Sequence, residues 1–302
     1  MNSSFKISVA LCTYNAEKYL AELLTSILHQ TKLPAEIVVC DDASTDSTKL
    51  ILEQYSQAHP TLFKLHFNDT NLGYIKNFEQ CIGLCNEQFI AIADHDDIWL
   101  PNKLEVLLDK INDGMLVYSN SQFMQEDGQL LNRTLTTQYN FIDKPLPKSF
   151  LFSNCVWGHT CMIRKELVKY AFPIPANAPY DIWLAFVASN VGTIRYANEI
   201  LTYWRQHANS YTSSYLSKSK KQREIEDWKE RIAWLKILLN CTHNSIKEFT
   251  DELLSLYSLR QEKFSVKLLL FLTKNRKDLF VFWRKNEISL LNECRKLSRK
   301  IG

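Results

Sequence analysis

The chain has 302 residues, 46% hydrophobic and 23% charged, with only 7 Gly and 8 Pro; this is a globular composition, and it excludes disordered, collagen-like and low-complexity proteins. Its length suits one large α/β domain with an appendage. The formal charge of +3 hides an asymmetry, since residues 1–216 hold 16 Lys+Arg against 22 Asp+Glu and residues 217–302 hold 20 against 11, so we expect an acidic domain over 1–216 and a basic helical region over 217–302.

Ile7–Cys12 is short and almost wholly apolar, the pattern of a strand buried on both faces. Thr13-Tyr14-Asn15 can cap a helix, and over Ala16–Gln30 the residues Tyr19, Leu20, Leu23, Leu24, Ile27 and Leu28 recur at helical spacing until Pro34 ends the element. Glu36–Cys40 reads as a strand, Asp41–Asp46 as a polar loop, Thr48–Tyr55 as a helix and Phe63–Phe67 as a third strand. A turn at Asn71–Gly73 precedes a helix over Lys76–Cys85 and a strand over Phe89–Ala93, with a further helix starting near Pro101. Leu116–Ser121 resembles another strand, residues 122–150 a long loop, Cys161–Arg164 a short strand, Asp181–Ala188 a helix and Ile200–Arg205 a final strand. Beyond Ser217 the pattern is helical: Lys220–Leu239, Ile246–Ser258, Phe264–Leu272 and Leu279–Leu297. Strands alternating with helices predict βαβ crossovers and a mostly parallel sheet.

The eight cysteines show neither a CxxC pair nor zinc-like Cys/His spacing, and most lie in apolar runs, which predicts buried, reduced thiols in a cytosolic protein. The N-terminus carries no signal-peptide pattern. Val266–Leu272 falls well short of the ~20 residues that cross a bilayer. A cytoplasmic protein is expected, with peripheral contact at the cytoplasmic face of the membrane as one use of the basic region.

Ligands of parallel sheets gather beyond the carboxyl ends of the strands. Three polar clusters follow three strands here: Thr13–Glu17, Asp41–Asp46 and Asp94–Asp97. In Asp94-His95-Asp96-Asp97, three carboxylates within four residues repel one another unless a solvated loop or a cation relieves them. Hard cations such as Mg²⁺ or Mn²⁺ take oxygen ligands and leave positions for phosphates; the competing reading is an acidic turn capping the helix near Pro101. Asp41–Asp46 suits a helix cap, Asp46 above all, or an acid that accepts from a pyrimidine ring N–H.

Cys12-Thr13-Tyr14-Asn15 within Val9–Gln30, then Glu36–Asp46, then Asn71-Leu72-Gly73, then Asp94-His95-Asp96-Asp97 together resemble glycosyltransferase family 2, over roughly residues 5–210. Asn71–Leu104 is especially similar to rhamnosyltransferase-like bacterial members that build surface polysaccharides. The resemblance implies a GT-A nucleotide-diphosphosugar-binding fold and an inverting transferase that moves a sugar from a UDP- or dTDP-linked donor to a glycan or lipid-linked acceptor. It implies that Thr13, Tyr14 and Glu17 line the nucleotide pocket, that Asp41 binds the base, and that Asn71 and Lys76 also bind the nucleotide-sugar, Lys76 facing the nucleotide or its phosphates. Asp94 would meet the ribose or metal region, and Asp96, with Asp97, would hold Mg²⁺ or Mn²⁺. Pro179-Tyr180-Asp181 resembles the segment whose acid is the general base, although Asp181 also suits the cap of the helix it opens. Tyr203-Trp204-Arg205-Gln206-His207 resembles the family's Tyr-Arg-x-His segment, with Arg205 facing phosphate and His207 reaching metal or diphosphate. Gly158-His159-Thr160 falls where the family lines its acceptor side. Trp157 and Trp183 suit sugar stacking or plain core packing.

The basic region leaves three uses open: packing on the catalytic domain, a homodimer, or an anionic membrane surface; no motif points to nucleic acid. Two rivals compete with a transferase. A sugar-phosphate nucleotidyltransferase needs a Gly-rich loop where Thr13-Tyr14-Asn15-Ala16 stands, and a non-catalytic nucleotide-sugar binder or scaffold would keep the fold without turnover.

Overall fold

The computed structural model describes residues 5–207, 219–261 and 264–301. Two units divide the chain: Met1–Thr137 with Ile142–Lys144 and Val156–Gln206, and Gln138–Phe141 with Pro145–Cys155 and His207–Gly302.

In the first unit β1 (Ile7–Thr13), β2 (Glu36–Asp41), β3 (Phe63–Phe67) and β4 (Phe89–Asp94) pair in parallel in the order β3-β2-β1-β4. The crossovers contain α1 (Leu20–Leu28), α2 (Thr48–Ala58) and α3 (Tyr74–Leu84). The helical spacing noted above places Leu20, Leu23, Leu24 and Ile27 on one stripe of α1, and all four are buried in a core with Ile7, Val9, Leu11, Val39 and Ala91. Burial of each such side chain contributes roughly 1.5–3 kcal/mol.

Beyond β4 come β5 (Ile98–Trp99), α4 (Lys103–Ile111), β6 (Leu116–Met124), β7 (Leu130–Thr134), β8 (Cys161–Arg164), α5 (Val168–Ala171), α6 (Tyr180–Val191) and β9 (Ile194–Arg205). The sheet continues past β4 as β8-β6-β9-β5, with β7 on β6. β8 runs antiparallel to β4 and β6, whereas β9 runs parallel to β6 and antiparallel to β5. The fold is therefore α/β with a parallel half and a mixed half. Registers pair Thr13 with Asp41 and Cys12 with Asp94, so the polar clusters after β1, β2 and β4 come to one rim.

Three expectations need correction. The loop expected over 122–150 begins inside a strand, because β6 runs on through Gln122 to Met124 and β7 returns along it. The last strand starts at Ile194, six residues before Ile200, since its early residues pair with β6 although they are only partly apolar. The helix expected over Leu279–Leu297 is broken, as described next.

In the second unit the basic sequence forms α7 (Lys220–Leu239), α8 (Lys247–Ser258), α9 (Val266–Leu279) and α10 (Glu287–Leu297). Ser219 and Gln222 make a reciprocal capping box that starts α7. Between α9 and α10 the chain leaves the helix so that Phe280 can pack on Phe152 and Trp283, and Phe282 on Phe150. Asn286 then caps α10 by accepting from the Ser289 N–H. Two neighbouring carbonyls are also taken up, Phe150 by Trp234 Nε1 at 2.9 Å and Leu151 by Arg231 at 2.7 Å. Among the described residues no helix is long and apolar enough to cross a membrane.

Candidate active site

Polar loops at the rim are braced by their own side chains. Thr13 Oγ1 donates to Asp41 Oδ1 at 2.7 Å, and the Ser44 N–H donates to Asp41 Oδ2 at 2.9 Å. Asn15 takes a left-handed φ of 49°, a conformation that asparagine tolerates, and its Oδ1 accepts from the Thr45 N–H at 2.9 Å. Glu17 accepts from the Ser47 N–H at 2.9 Å. Asp46 accepts from the Thr48 N–H and hydroxyl; burial works to raise its pKa, but these bonds and one from the Glu17 N–H prevail and lower it. Asp46 thus serves the start of α2, as expected of a cap.

Asp42 organises the neighbouring turn, its buried carboxylate accepting from the Leu72 N–H at 2.8 Å and the Gly73 N–H at 2.9 Å. Gly73 holds a φ of 80° there, which favours glycine. Asn71 donates to the Asp42 carbonyl at 3.3 Å. Lys76 is paired with Glu79 at 2.7 Å, and Tyr14 is 48% exposed.

The acids after β4 differ sharply in environment. Asp94 keeps 34% of its side chain open. Burial, then the charges of Asp96 and Asp181, push its pKa up to about 7, against the Lys103 charge. Asp96 is half-buried. Asp97 is fully buried; its Oδ1 accepts from the Arg205 N–H at 3.1 Å, and its Oδ2 has no hydrogen-bond partner among the described residues. Burial, then Asp96 and Asp94, hold its pKa well above the ordinary carboxylate range.

His159, from the turn before β8, brings Nδ1 to 3.8 Å from Asp94 and 4.0 Å from Asp97, while its Nε2 lies 3.0 Å from Ser121 Oγ. Burial and the Lys103 charge drive the imidazole down to about 3, so it is neutral at physiological pH. Ligand atoms of Asp94, Asp97 and His159 lie within 4.8 Å of one another. Lys103 supports this cluster from within the core: its Nζ donates to the His159 carbonyl at 2.6 Å and to Thr202 Oγ1 at 2.9 Å, over the Trp99 ring. Burial lowers its pKa, against the pull of Asp97.

Asp181 lies half-buried in the first turn of α6, where Pro179 rather than Asp181 is the cap. Its Oδ1 accepts from the Ile182 N–H at 2.8 Å, and its charge is felt at Asp94. Arg205, expected at a phosphate, is 2% exposed. Its guanidinium is held by the Asp96 carbonyl at 2.9 Å, the Glu126 carbonyl at 2.9 Å and Glu22 at 2.5 Å. Trp183 is a core residue, donating to the Ala171 carbonyl at 2.7 Å. His207 falls in the second unit, whereas every acid named above belongs to the first.

The donor set is mainly hard carboxylate oxygen, and one buried oxygen, Asp97 Oδ2, has no hydrogen-bond partner among the described residues. Both properties fit a divalent cation. Sequence reasoning placed His159 on the acceptor side and gave Lys103 no role, since their partners come from distant strands.

The model of the family described as "Glycosyl transferase family 2" matches residues 8–172, more than half of the chain. Over 223 residues the chain is 26% identical to the Escherichia coli protein named UDP-Glc:alpha-D-GlcNAc-diphosphoundecaprenol beta-1,3-glucosyltransferase WfgD, covering 73% of this chain and 85% of that one. It is 28% identical over 224 residues to an uncharacterized protein of Mycobacterium bovis, covering 71% of this chain and 63% of the relative. The crystal structure of S. aureus TarS residues 1–349 with UDP-GlcNAc superposes with a TM-score of 0.61 at 19% identity, over 97% of this chain and 81% of that one; at that identity the likeness is one of fold.

Proposed function

The chain belongs to glycosyl transferase family 2, and from that premise we propose that it moves a sugar from a nucleoside diphosphate to an acceptor hydroxyl with inversion at the anomeric carbon. UDP is the first nucleotide to test, because TarS was solved with UDP-GlcNAc and with UDP and the WfgD name specifies UDP-Glc. That name also specifies a lipid-linked diphosphate acceptor, and an acceptor of that class in surface-glycan synthesis is our reading for this chain.

Asp181 accepts the proton of the acceptor hydroxyl as its oxygen forms the bond to the anomeric carbon. The bond from that carbon to the diphosphate oxygen breaks on the opposite face, and the nucleoside diphosphate leaves. An ordinary aspartate, with a pKa of about 3.9, is a weak base; its help comes as the hydroxyl becomes acidic in the transition state and is typically worth ~10²–10⁴-fold. Thr13, Tyr14, Glu17 and Asp41 receive the nucleotide, with Asn71 and Lys76 beside them. Asp94 and Asp96 present the more open carboxylates for Mg²⁺ or Mn²⁺, with Asp97 and His159 behind them. Such an ion supplies charge neutralisation for the diphosphate as a Lewis acid. Arg205 holds the loop that carries Asp96 and Asp97 from beneath, through its bonds to the Asp96 carbonyl and to Asp97.

What supports this reading most is the family match over residues 8–172 together with the cluster of Asp94, Asp97 and His159, whose ligand atoms lie within 4.8 Å of one another at the end of β4. A panel of UDP- and dTDP-sugars with Mn²⁺ tests it, with the product anomer read by NMR. Asp181→Asn should keep nucleotide affinity and lose roughly 10²-fold or more in turnover. Near wild-type turnover would remove Asp181 from the mechanism, and nucleotide-sugar binding without transfer by the wild type would favour the non-catalytic binder.

A further inference from the structure

The positive charge of the second unit is concentrated at its end. Residues 264–301, which contain α9 and α10, hold 10 Lys+Arg against 3 Asp+Glu. Those three acids are already engaged: Asp278 with Lys148 at 3.7 Å, Glu287 with Arg276 at 2.8 Å and Glu293 with Lys285 at 2.8 Å. Lys267, Lys274, Lys277, Arg295 and Lys296 stand exposed, so the surplus faces solvent.

The same two helices also expose apolar side chains. On α9 Leu268, Leu272 and Leu279 are buried, yet Val266 is 59% and Leu270 64% exposed; on α10 Leu290 and Cys294 are buried, yet Ile288 is 72% and Leu291 41% exposed. Ile288 and Leu270 are the most exposed large hydrophobic residues among those described. Helical spacing puts Val266, Leu270, Lys274 and Lys277 on one stripe of α9, and Ile288, Leu291 and Arg295 on one stripe of α10. Each helix thus lines up two apolar side chains with the cations that follow them. Leu270 and Phe271 also line a hollow of about 450 Å³, with Lys267, Lys274 and, from α8, Phe249 and Glu252. Single apolar residues on a surface are ordinary, but pairs on one stripe beside exposed cations mark a contact surface.

We propose that α9 and α10 form a docking surface for an anionic phospholipid bilayer: Val266, Leu270, Ile288 and Leu291 enter the headgroup region while the neighbouring Lys and Arg side chains meet lipid phosphates. Charge selects this occupant, because a second copy would bring one basic surface against another, whereas an anionic leaflet attracts it. The exposed Leu, Ile and Val side chains select it over nucleic acid, whose phosphate backbone gives them nothing to bury against. For its purpose the inference rests on the lipid-linked acceptor of the functional reading, which a bilayer holds; its physical basis does not.

Sedimentation of the full chain with mixed phosphatidylglycerol and phosphatidylcholine vesicles, against phosphatidylcholine alone, tests this with neither nucleotide nor acceptor present. The chain should sediment with the anionic vesicles only, and less as salt is raised. Leu270→Gln with Ile288→Gln should lower the partition coefficient roughly tenfold or more, and Lys267→Gln with Lys274→Gln should do the same. Both pairs should keep a wild-type melting temperature, since all four side chains are exposed. Absence of binding to anionic vesicles, equal binding to neutral ones, or wild-type partitioning by either pair overturns the proposal. So does a dimer in sedimentation velocity that the Leu270 and Ile288 substitutions disperse, which would assign the surface to a second copy. A chain that binds vesicles and transfers no sugar overturns the functional reading and leaves the docking surface standing.

Discussion

Asp97 has no exposed surface and one carboxylate oxygen without a described partner. A group in that state costs stability, and strongly perturbed acids of this kind concentrate at functional sites. Asp96 is the accessible counterpart, and its charge raises the pKa of both neighbours. Replacing Asp96 by Ala should weaken Mn²⁺-dependent UDP binding roughly tenfold or more, measured by calorimetry with and without the metal; unchanged metal dependence would count against Asp96 as a ligand. These acids are legible in the sequence because they stand within four residues at the end of an apolar run. Lys103 and Arg205 are less so. Lys103 meets the His159 carbonyl across 56 residues, and Arg205 meets Glu22 across 183. Arginine near a supposed phosphate site invites a ligand role, and only the fold reveals a guanidinium already engaged by two carbonyls and a carboxylate.

Among the elements, β2 begins with a charge in an otherwise apolar strand. Glu36 is buried, accepting from Ser8 Oγ at 2.6 Å, from the Asn86 N–H at 2.5 Å and from Lys64. Burial works to raise its pKa; the bonds from Lys64, Ser8 and Asn86 outweigh it and bring it from 4.5 down to about 2. Because the folded value is depressed, the stability Glu36 contributes is present above pH 4.5 and is lost as the pH falls toward about 2. With Lys64 half-exposed and screened, the contribution is on the order of 2 kcal/mol. Denaturant titrations of Glu36→Gln should show that deficit at pH 7 and none near pH 2; a deficit independent of pH would assign it to packing. Periodicity reveals β1 to β4 and their helices because each buries a continuous stripe or both faces. It misses two-residue β5 and solvent-facing β7, which exist only by pairing with β9 and β6. It also runs one helix through 280–286, where aromatic side chains find better burial off the helix than on it.

For the whole molecule, the contrast in charge along the sequence corresponds to a difference in construction: an acidic unit built on one sheet and a basic one built on helices. Ligand linkage should therefore appear in the first unit. UDP at a hundred times its dissociation constant, with Mn²⁺, should add about 2.7 kcal/mol of stability. The increment should vanish with chelator, and an increment that survives chelation would argue against a metal-bridged diphosphate.

All eight cysteines are buried and none forms a disulfide. Burial raises the pKa of Cys12, Cys81, Cys85 and Cys161, which suppresses the thiolate that alkylating agents attack. Cys12, Cys40 and Cys81 lie on β1, β2 and α3, in the core beneath the rim. Maleimide capture at these positions in native buffer would consequently time the breathing of the sheet itself, giving a clock for core opening that needs no engineered label.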